Sequence, residues 1–457
     1  MAPAKSLRLP PFRADIAGAT PIKASMSISC GTGRRVINPE IGHVLCGYGP
    51  YANTGVHDDI VVTALWLDDG QQRAVLLNYD LIGLRSITAK RIRTAVARTV
   101  GIPMDRVFTV CTHVHSGPNV IEVRVHGEAG PNPECRADYL ERLLVWSTEA
   151  AADAKSDGED CILRYNFTDT DGNMNRRFNF PDRRGAYIPD NKQLIGQSRE
   201  YVDRELGIIA FRKKGTLNRY KAIITNYTCH PLCVGNSSDL VTADFPGVLR
   251  RTVEETFAGS RCLTTTGAAG DNHPLMPESG FASAEDMGRR LGRLAIMRAY
   301  DSVAADDQSL RLAHVDVAMA VRDETTAGMQ PEAFARTHPL KKDRAPLRTE
   351  VSLIGIGPVL LAGFPGEPMA EQGAMLKWQS PFLKTYALFT ATDNLGYFPT
   401  TNQFLWGGYE TNTSLFAHSA GDGLVRDILT GAHRLVAERP LTLSTTDGAF
   451  EDGSPAA

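Results

Sequence analysis

Short apolar runs rich in β-branched residues recur along this chain, and each is followed by a turn and often by a helix-period segment. Residues 60–67 and 73–77 are two such runs, and residues 87–100 follow them with apolar side chains at helical spacing. This alternation is typical of an α/β fold, in which helices cover a central sheet. Further amphipathic helices are predicted over residues 138–154, 284–303 and 423–438.

The sequence contains no internal repeat, no low-complexity block and no long linker. We therefore predict a single large α/β domain with a mixed central β-sheet and flanking helices. Within it, we expect residues 1–40 to form an N-terminal extension, residues 41–440 the domain itself, and residues 441–457 a C-terminal tail.

Composition excludes several classes of protein. The 457 residues carry 49 Lys and Arg against 52 Asp and Glu, a net charge of −3, so there is no basic surface for nucleic acid. No apolar stretch approaches the ~18 residues of a membrane span. The N-terminus has Pro10, Pro11 and Arg13 where a signal peptide would be apolar.

Cysteine usage bears on the compartment. Eight cysteines at irregular spacing do not suggest a disulfide framework, and reduced buried thiols are the simpler interpretation. We expect a soluble, cytoplasmic protein with no nucleic-acid partner and no stable membrane association. The oligomeric state stays open.

Polar residues follow the ends of five predicted strands. Because the carboxyl ends of strands in an α/β sheet line the crevice where ligands bind, these loops are expected to meet at one site. The predicted strands cover residues 106–111, 221–229, 261–266, 359–364 and 385–392.

Histidines and a glutamate in these loops suggest a metal site. His113 and His115 are two residues apart, so on an extended segment both imidazoles face the same way. Two histidines and a carboxylate from distant loops commonly bind a hydrolytic zinc, and His230 and Glu367 would complete the set. The alternative is that the histidines bond to backbone and that Glu367 stabilises a helix N-terminus.

The segment Thr112-His113-Val114-His115-Ser116-Gly117-Pro118 resembles the THTHSGP signature of the neutral, non-lysosomal ceramidases. Other segments resemble that family in the same order, over residues 47–409. They are Gly47-Tyr48, Gly55-Val56-His57, Asn175-Arg176, Val202-Asp203-Arg204-Glu205, His230-Pro231, Gly270-Asp271-Asn272-His273-Pro274, Pro365-Gly366-Glu367 and Trp406-Gly407-Gly408-Tyr409-Glu410.

The resemblance implies a zinc cofactor and a set of site residues. The implied zinc ligands are His113, His230, Glu367 and Tyr409. It also places His115 and Arg176 beside the metal as candidate catalytic residues. His273, which stands where the family has a serine, is a third candidate.

The resemblance implies a zinc-dependent amidohydrolase that cleaves the C–N bond of a linear amide. The chain ends soon after Leu441, so we expect no C-terminal immunoglobulin-like domain of the kind that full-length ceramidases carry. A small or soluble amide is therefore the expected partner. Two alternatives stay open: a lactone or ester hydrolase with the same zinc site, and a catalytically idle relative that binds a ligand.

Overall fold

Two mixed β-sheets form the centre of the molecule in this computed structural model. The structure describes residues 27–47, 51–121, 123–124, 130–131, 134–179, 185–187, 200–322 and 346–442. The predicted class, a mixed α/β domain with a large sheet and flanking helices, is confirmed. Of the predicted tail, only Leu441 and Thr442 lie within the described residues.

The larger sheet has nine strands. They are β1 (Ile28–Val36), β2 (Val61–Asp68), β3 (Arg73–Tyr79), β4 (Val107–Cys111), β5 (Glu159–Asp169), β6 (Glu205–Lys213), β7 (Tyr220–Tyr227), β8 (Arg261–Thr266) and β9 (Val303–Ala304). Their spatial order is β8-β7-β6-β5-β1-β2-β3-β4, and β9 pairs with β5. Only the pairs at the two ends, β7 with β8 and β3 with β4, are parallel.

The second sheet has four strands in sequence order, of which only the last pair is parallel. They are β10 (Leu310–Met319), β11 (Leu347–Ile356), β12 (Val359–Gly363) and β13 (Lys384–Leu388). Short two-stranded pairs join the loops: Gly55–Val56 with Leu240–Val241, Val123–Arg124 with Gly130–Pro131, Asn173–Asn175 with Asn272–Pro274, Arg177–Asn179 with Gly185–Tyr187, and Glu367–Pro368 with Tyr397–Phe398.

Eight α-helices flank the sheets. They are α1 (Ser86–Val100), α2 (Ala137–Ser156), α3 (Asp244–Thr256), α4 (Phe281–Tyr300), α5 (Ala370–Gln379), α6 (Thr401–Trp406), α7 (Tyr409–Thr413) and α8 (Ala420–Glu438) among the described residues. The four helices predicted from apolar spacing are confirmed as α1, α2, α4 and α8, with ends that differ by up to three residues. No helix in this described part is both long and apolar enough to cross a membrane.

The elements stack in four layers, each joined to the next by an apolar cluster. Helices α1 and α2, and separately α3 and α4, cover one face of the larger sheet. The other face packs against the second sheet, where Leu76 and Ile224 share a cluster with Ile354 and Leu361. Helices α5 and α8 cover the outer face of the second sheet. Both sheets are therefore buried on both faces.

Strand β1 corrects the predicted N-terminal extension, because it lies inside residues 1–40 yet runs through the middle of the larger sheet. Gly31 and Gly33 on this strand face helix α2. A Cβ atom at Gly31 would stand 2.1 Å from the carbonyl oxygen of Ala154, so only glycine lets the helix approach. These glycines interrupt the apolar run that would otherwise have marked the strand.

The larger sheet is curved so that its two edges approach each other. Asn78 on β3 donates through Nδ2 to the carbonyl of Thr264 on β8 at 3.0 Å. Beyond the strand ends, Thr266 Oγ1 donates to the carbonyl of Thr112 at 2.7 Å. The second sheet joins at the same place, where the backbone N–H of Phe389 donates to the carbonyl of Thr266 at 3.0 Å. The five predicted strand ends therefore converge, although they belong to two sheets rather than one.

Candidate metal centre

Three histidines meet where these strands end. His113 and His115 follow β4, and His230 follows β7. One ring nitrogen from each lies within 4.8 Å of the others, close enough for a single ion to bind them. Glu367 follows β12 and enters the same space from the second sheet.

The backbone of His113 is held in an unusual conformation. Its φ is +70°, in the left-handed region that costs a non-glycine residue about 1–2 kcal/mol. Two bonds to the loop after β3 hold it there: its N–H donates to the carbonyl of Leu81 at 2.9 Å, and Nδ1 donates to that of Ile82 at 2.6 Å. Strained backbone of this kind clusters at functional sites, where surrounding contacts maintain it.

His113 and His230, the histidines predicted as ligands, point the same atom at Glu367. Nε2 of His113 and Nε2 of His230 lie 3.6 Å and 3.4 Å from Glu367 Oε2. Nδ1 of His230 donates to the carbonyl of Ala269 at 2.5 Å. Because a carbonyl only accepts, each Nδ1 carries the proton and each Nε2 presents a lone pair, as in metal-binding histidines.

Buried polar atoms without a hydrogen-bond partner are rare, and among the described residues His230 and Glu367 each have one such atom. Within the part of the chain that the structure describes, neither His230 Nε2 nor Glu367 Oε2 has a hydrogen-bond partner. A cation between the two imidazoles and the carboxylate would satisfy both atoms. The residues present therefore fit a metal ion bound by nitrogen and oxygen.

Burial sets the charges of these groups. Burial lowers the pKa of His113 to about 4, although the nearby carboxylate of Glu367 favours the charged imidazole. It also holds the pKa of His115 and of His230 well below the usual range, and it raises the pKa of Glu367. All three imidazoles are thus neutral at neutral pH, which is the form that binds metal.

His115 is packed between the other histidines and a glycine. Its ring centroid lies 4.9 Å from that of His113 and 5.8 Å from that of His230. Gly47, with a φ of +126°, passes so close that a Cβ there would stand 2.4 Å from Nδ1 of His115. Phe389 closes another side of the centre, with its ring 4.7 Å from His113 and 5.4 Å from His230.

Arg176 is buried beside the centre rather than exposed on the surface. Its Nη2 donates to the carbonyl of Gly270 at 2.7 Å and to the hydroxyl of Tyr397 at 3.1 Å. Its Nε donates to Glu410 at 2.9 Å. Its positive charge lowers the pKa of His113, His115 and His230 further, after the larger effect of burial.

Tyr397, which the sequence analysis did not assign, is a strand partner of Glu367, whereas the predicted ligand Tyr409 is not. The two-residue strands that contain them pair Glu367 with Tyr397, and Tyr397 favours the charged form of the carboxylate. Tyr409 lies behind it, with ring centroids 5.6 Å apart, and is 41% exposed. Tyr397 falls in the predicted loop after β13, but nothing in the sequence distinguished it from the tyrosine twelve positions later.

His273 and Asp271 come from the loop after β8. His273 is buried, its Nδ1 donates to the carbonyl of Pro274 at 3.1 Å, and its charge contributes to lowering the pKa of His230. Asp271 has a structural role that the sequence analysis did not predict. One of its oxygens accepts from the backbone N–H of Ala370 and the other from the amide of Gln403, each at 2.9 Å, so it joins α5 to α6.

The two-sheet fold with its buried histidine–carboxylate centre can be compared with known proteins. No protein-family model matches the chain, and no curated protein sequence matches it. Among solved structures, the chain is similar to neutral ceramidase from Pseudomonas aeruginosa, with a TM-score of 0.70 and 16% identity over 92% of this chain and 76% of that one.

A second similar structure is a ceramidase complexed with C2, with a TM-score of 0.69, 14% identity and the same coverage of both chains. At identities this low, the structural similarity establishes a shared fold and no more. The resemblance to the neutral ceramidases that the motifs predicted is therefore confirmed at the level of the fold.

Proposed function

We propose that this protein is a zinc-dependent hydrolase that cleaves a C–N amide bond of a small or soluble substrate. The observation that carries the proposal is the convergence of two buried imidazole Nε2 atoms on an oxygen of Glu367 that has no hydrogen-bond partner among the described residues. The shared fold with two ceramidase structures supports amide hydrolysis over other reactions at such a centre.

The ion would be held by His113, His230 and Glu367. For the fourth ligand we propose the phenol of Tyr397 in the place that the sequence analysis assigned to Tyr409, because Tyr397 is paired with Glu367 across the two short strands. Zinc bound in this way acts as a Lewis acid and lowers the pKa of a coordinated water to about 7.

The chain's own residues would handle protons and charge. His115 is half-buried and its pKa lies well below the usual range, so its neutral imidazole can accept a proton during attack on the amide carbonyl and return it to the leaving amine. Arg176 supplies a fixed positive charge beside the ligands. His273 is our candidate for contact with the substrate, in the place of the family's serine.

Phe389 and the buried walls keep bulk water from the ligand atoms, which strengthens every electrostatic interaction there. Hydrolysis adds one water across the C–N bond and yields a carboxylic acid and an amine. We also propose a cytoplasmic location. All eight cysteines, which lie within the described residues, are free thiols, and six of them are buried.

Metal content of the purified protein tests this proposal. Elemental analysis should find about one zinc per chain in the wild type and none in His230→Ala, which removes one of the few ligands of a single ion. His433→Ala is the matched control, since His433 is exposed on helix α8 and should not affect zinc. A His230→Ala protein that kept its zinc, or stayed fully active without it, would refute the proposed centre.

Substrate class is tested next with matched amide, ester and lactone analogues. Faster turnover of the amide supports the proposal. Turnover of the ester or lactone alone would favour the alternative hydrolase, and tight binding without turnover would favour the idle relative.

A further inference from the structure

Glu410 is a buried carboxylate that binds two consecutive arginines. Its Oε1 accepts from Nε of Arg176 at 2.9 Å and its Oε2 from Nη1 of Arg177 at 2.6 Å. All three side chains are at most 2% exposed. Taking three charged groups out of water is costly, and such clusters are often no more stabilising than apolar residues of similar volume. The cluster therefore calls for a role other than stability.

A glycine turn places Glu410 inside the protein. Gly407 and Gly408 have φ values of +69° and +108°, and α7 begins directly after them. The turn leaves Tyr409 facing outward and Glu410 facing inward. Nη2 of Arg177 donates to the carbonyl of Gly407 at 2.6 Å, so this arginine secures the turn that carries the glutamate.

Arg176 extends from the same carboxylate toward the candidate metal centre. While its Nε is bound to Glu410, its Nη2 donates to the carbonyl of Gly270 and to the hydroxyl of Tyr397. Tyr397 is in turn paired with Glu367 across the two short strands. Hydrogen bonds thus run from Glu410 through Arg176 to Tyr397, which lies beside Glu367.

We propose that Glu410 is a positioning residue that holds Arg176 and, through it, Tyr397 in place at the metal centre. The inference rests on the proposed function, because it concerns the affinity of that centre for zinc. Glu410 also separates two like charges, since Arg176 and Arg177 would repel each other without the carboxylate between them. Contacts with the ligands of a metal commonly set its affinity, and their loss costs about 10- to 100-fold.

The ionisation of Glu410 agrees with this role. Burial by itself would raise the pKa of Glu410, but the guanidinium groups of Arg176 and Arg177 outweigh it and hold the pKa below its usual value. The carboxylate is therefore charged at neutral pH and can bind both arginines.

The test compares Glu410→Gln with the wild type by competition with a zinc chelator and by crystal structures without metal. Glu410→Gln should bind zinc about 10- to 100-fold more weakly, and its Arg176 should leave Gly270 and Tyr397. Asp307→Asn is the control. It breaks another buried ion pair, Asp307 with Arg311 at 2.7 Å, at the opposite end of the second sheet, and should leave zinc affinity unchanged.

If Glu410→Gln does not fold, Arg176→Lys replaces it, because a lysine cannot reach Glu410, Gly270 and Tyr397 together. A variant that binds zinc as the wild type does, with Arg176 in its original position, would overturn the inference. A wild type that binds no zinc would instead refute the proposed function. In that case the position of Arg176 in the two metal-free structures still decides whether Glu410 places it.

Discussion

At the scale of single residues, Tyr397 and Tyr409 are alternative candidates for the fourth ligand of the proposed zinc ion. The Tyr397 hydroxyl accepts a hydrogen bond from Arg176 and Tyr397 is paired with Glu367, whereas Tyr409 is partly exposed. Both rings lie within 5.7 Å of the Arg176 guanidinium, so proximity to this arginine does not separate them. The strand pairing of Tyr397 with Glu367 does.

We therefore expect Tyr397→Phe to weaken zinc binding by about tenfold or more, because it removes the hydroxyl of the tyrosine that is paired with Glu367. Tyr409→Phe removes the same atom from the neighbouring ring and serves as the matched control, with zinc affinity expected to be unchanged. Chelator competition on both proteins measures the difference. The reverse result, with Tyr409→Phe impaired and Tyr397→Phe normal, would show that the assignment from the motif was the correct one.

The sequence could indicate His113, His230 and Glu367, because their motifs combine ligand chemistry with strand ends. It could not choose between Tyr397 and Tyr409, since both follow the same strand in polar loops. The role of Glu410 could not be predicted from the sequence either. Its role depends on Arg176 and Arg177, which lie far away in sequence and meet it only in the folded protein.

At the scale of secondary-structure elements, His314 on β10 of the second sheet contacts both the larger sheet and helix α1. Its ring stacks on Phe108 of β4 at 4.7 Å, and its Nε2 lies 3.0 Å from Nη2 of Arg93 on α1. Burial, and after it the positive charge of Arg93, lowers the pKa of His314 to about 3. The imidazole is thus neutral in the folded protein.

This contact predicts a pH dependence of stability. An unfolded histidine has a pKa of about 6.5, so below that pH the unfolded chain gains a proton that the folded protein does not bind. The contribution of His314 is therefore fully present above pH 6.5 and is lost progressively between pH 6.5 and pH 3. By pH 5 the loss should reach about 2 kcal/mol.

Urea unfolding of the wild type and His314→Gln at pH 7 and pH 5 measures the effect. Glutamine stays neutral at both values, so the wild type should lose about 2 kcal/mol more than the variant on acidification. Other histidines contribute equally to both proteins and cancel in the difference. Equal losses in the two proteins would contradict a neutral buried imidazole.

Periodic apolar residues were enough to predict the four long helices, but strand pairing was beyond the sequence. Residues 359–364 and 385–392 were expected to join the strands of His113 and His230, whereas they form part of a second sheet. Strands that are buried on both faces are uniformly apolar in either sheet. Their sequence pattern therefore does not indicate which neighbouring strand each one pairs with.

At the scale of the whole molecule, the candidate ligands connect the two sheets. His113 follows the edge strand β4 of the curved larger sheet, His230 follows β7 next to the opposite edge, and Glu367 comes from the second sheet. A bound ion would therefore cross-link the two central layers. Binding to the folded state alone stabilises a protein in proportion to the logarithm of ligand concentration.

Thermal unfolding with zinc and with a chelator tests this consequence. At free zinc about 100 times the dissociation constant, the folded state should gain about 2.7 kcal/mol, seen as a higher Tm. The Tm of His230→Ala should not respond to either addition. An equal response of both proteins would mean that zinc acts elsewhere on the chain.

The closure of the larger sheet has a consequence for how the protein is made. Strand β8 reaches β3 and β4 only after the intervening strands have paired, and Glu367 arrives later still. A ribosome that has delivered the first two thirds of the chain has therefore made two imidazole ligands but no carboxylate. If the proposed centre binds zinc, the nascent protein must complete its most distant contacts before it can retain the ion, so metal acquisition would come last in its synthesis and folding.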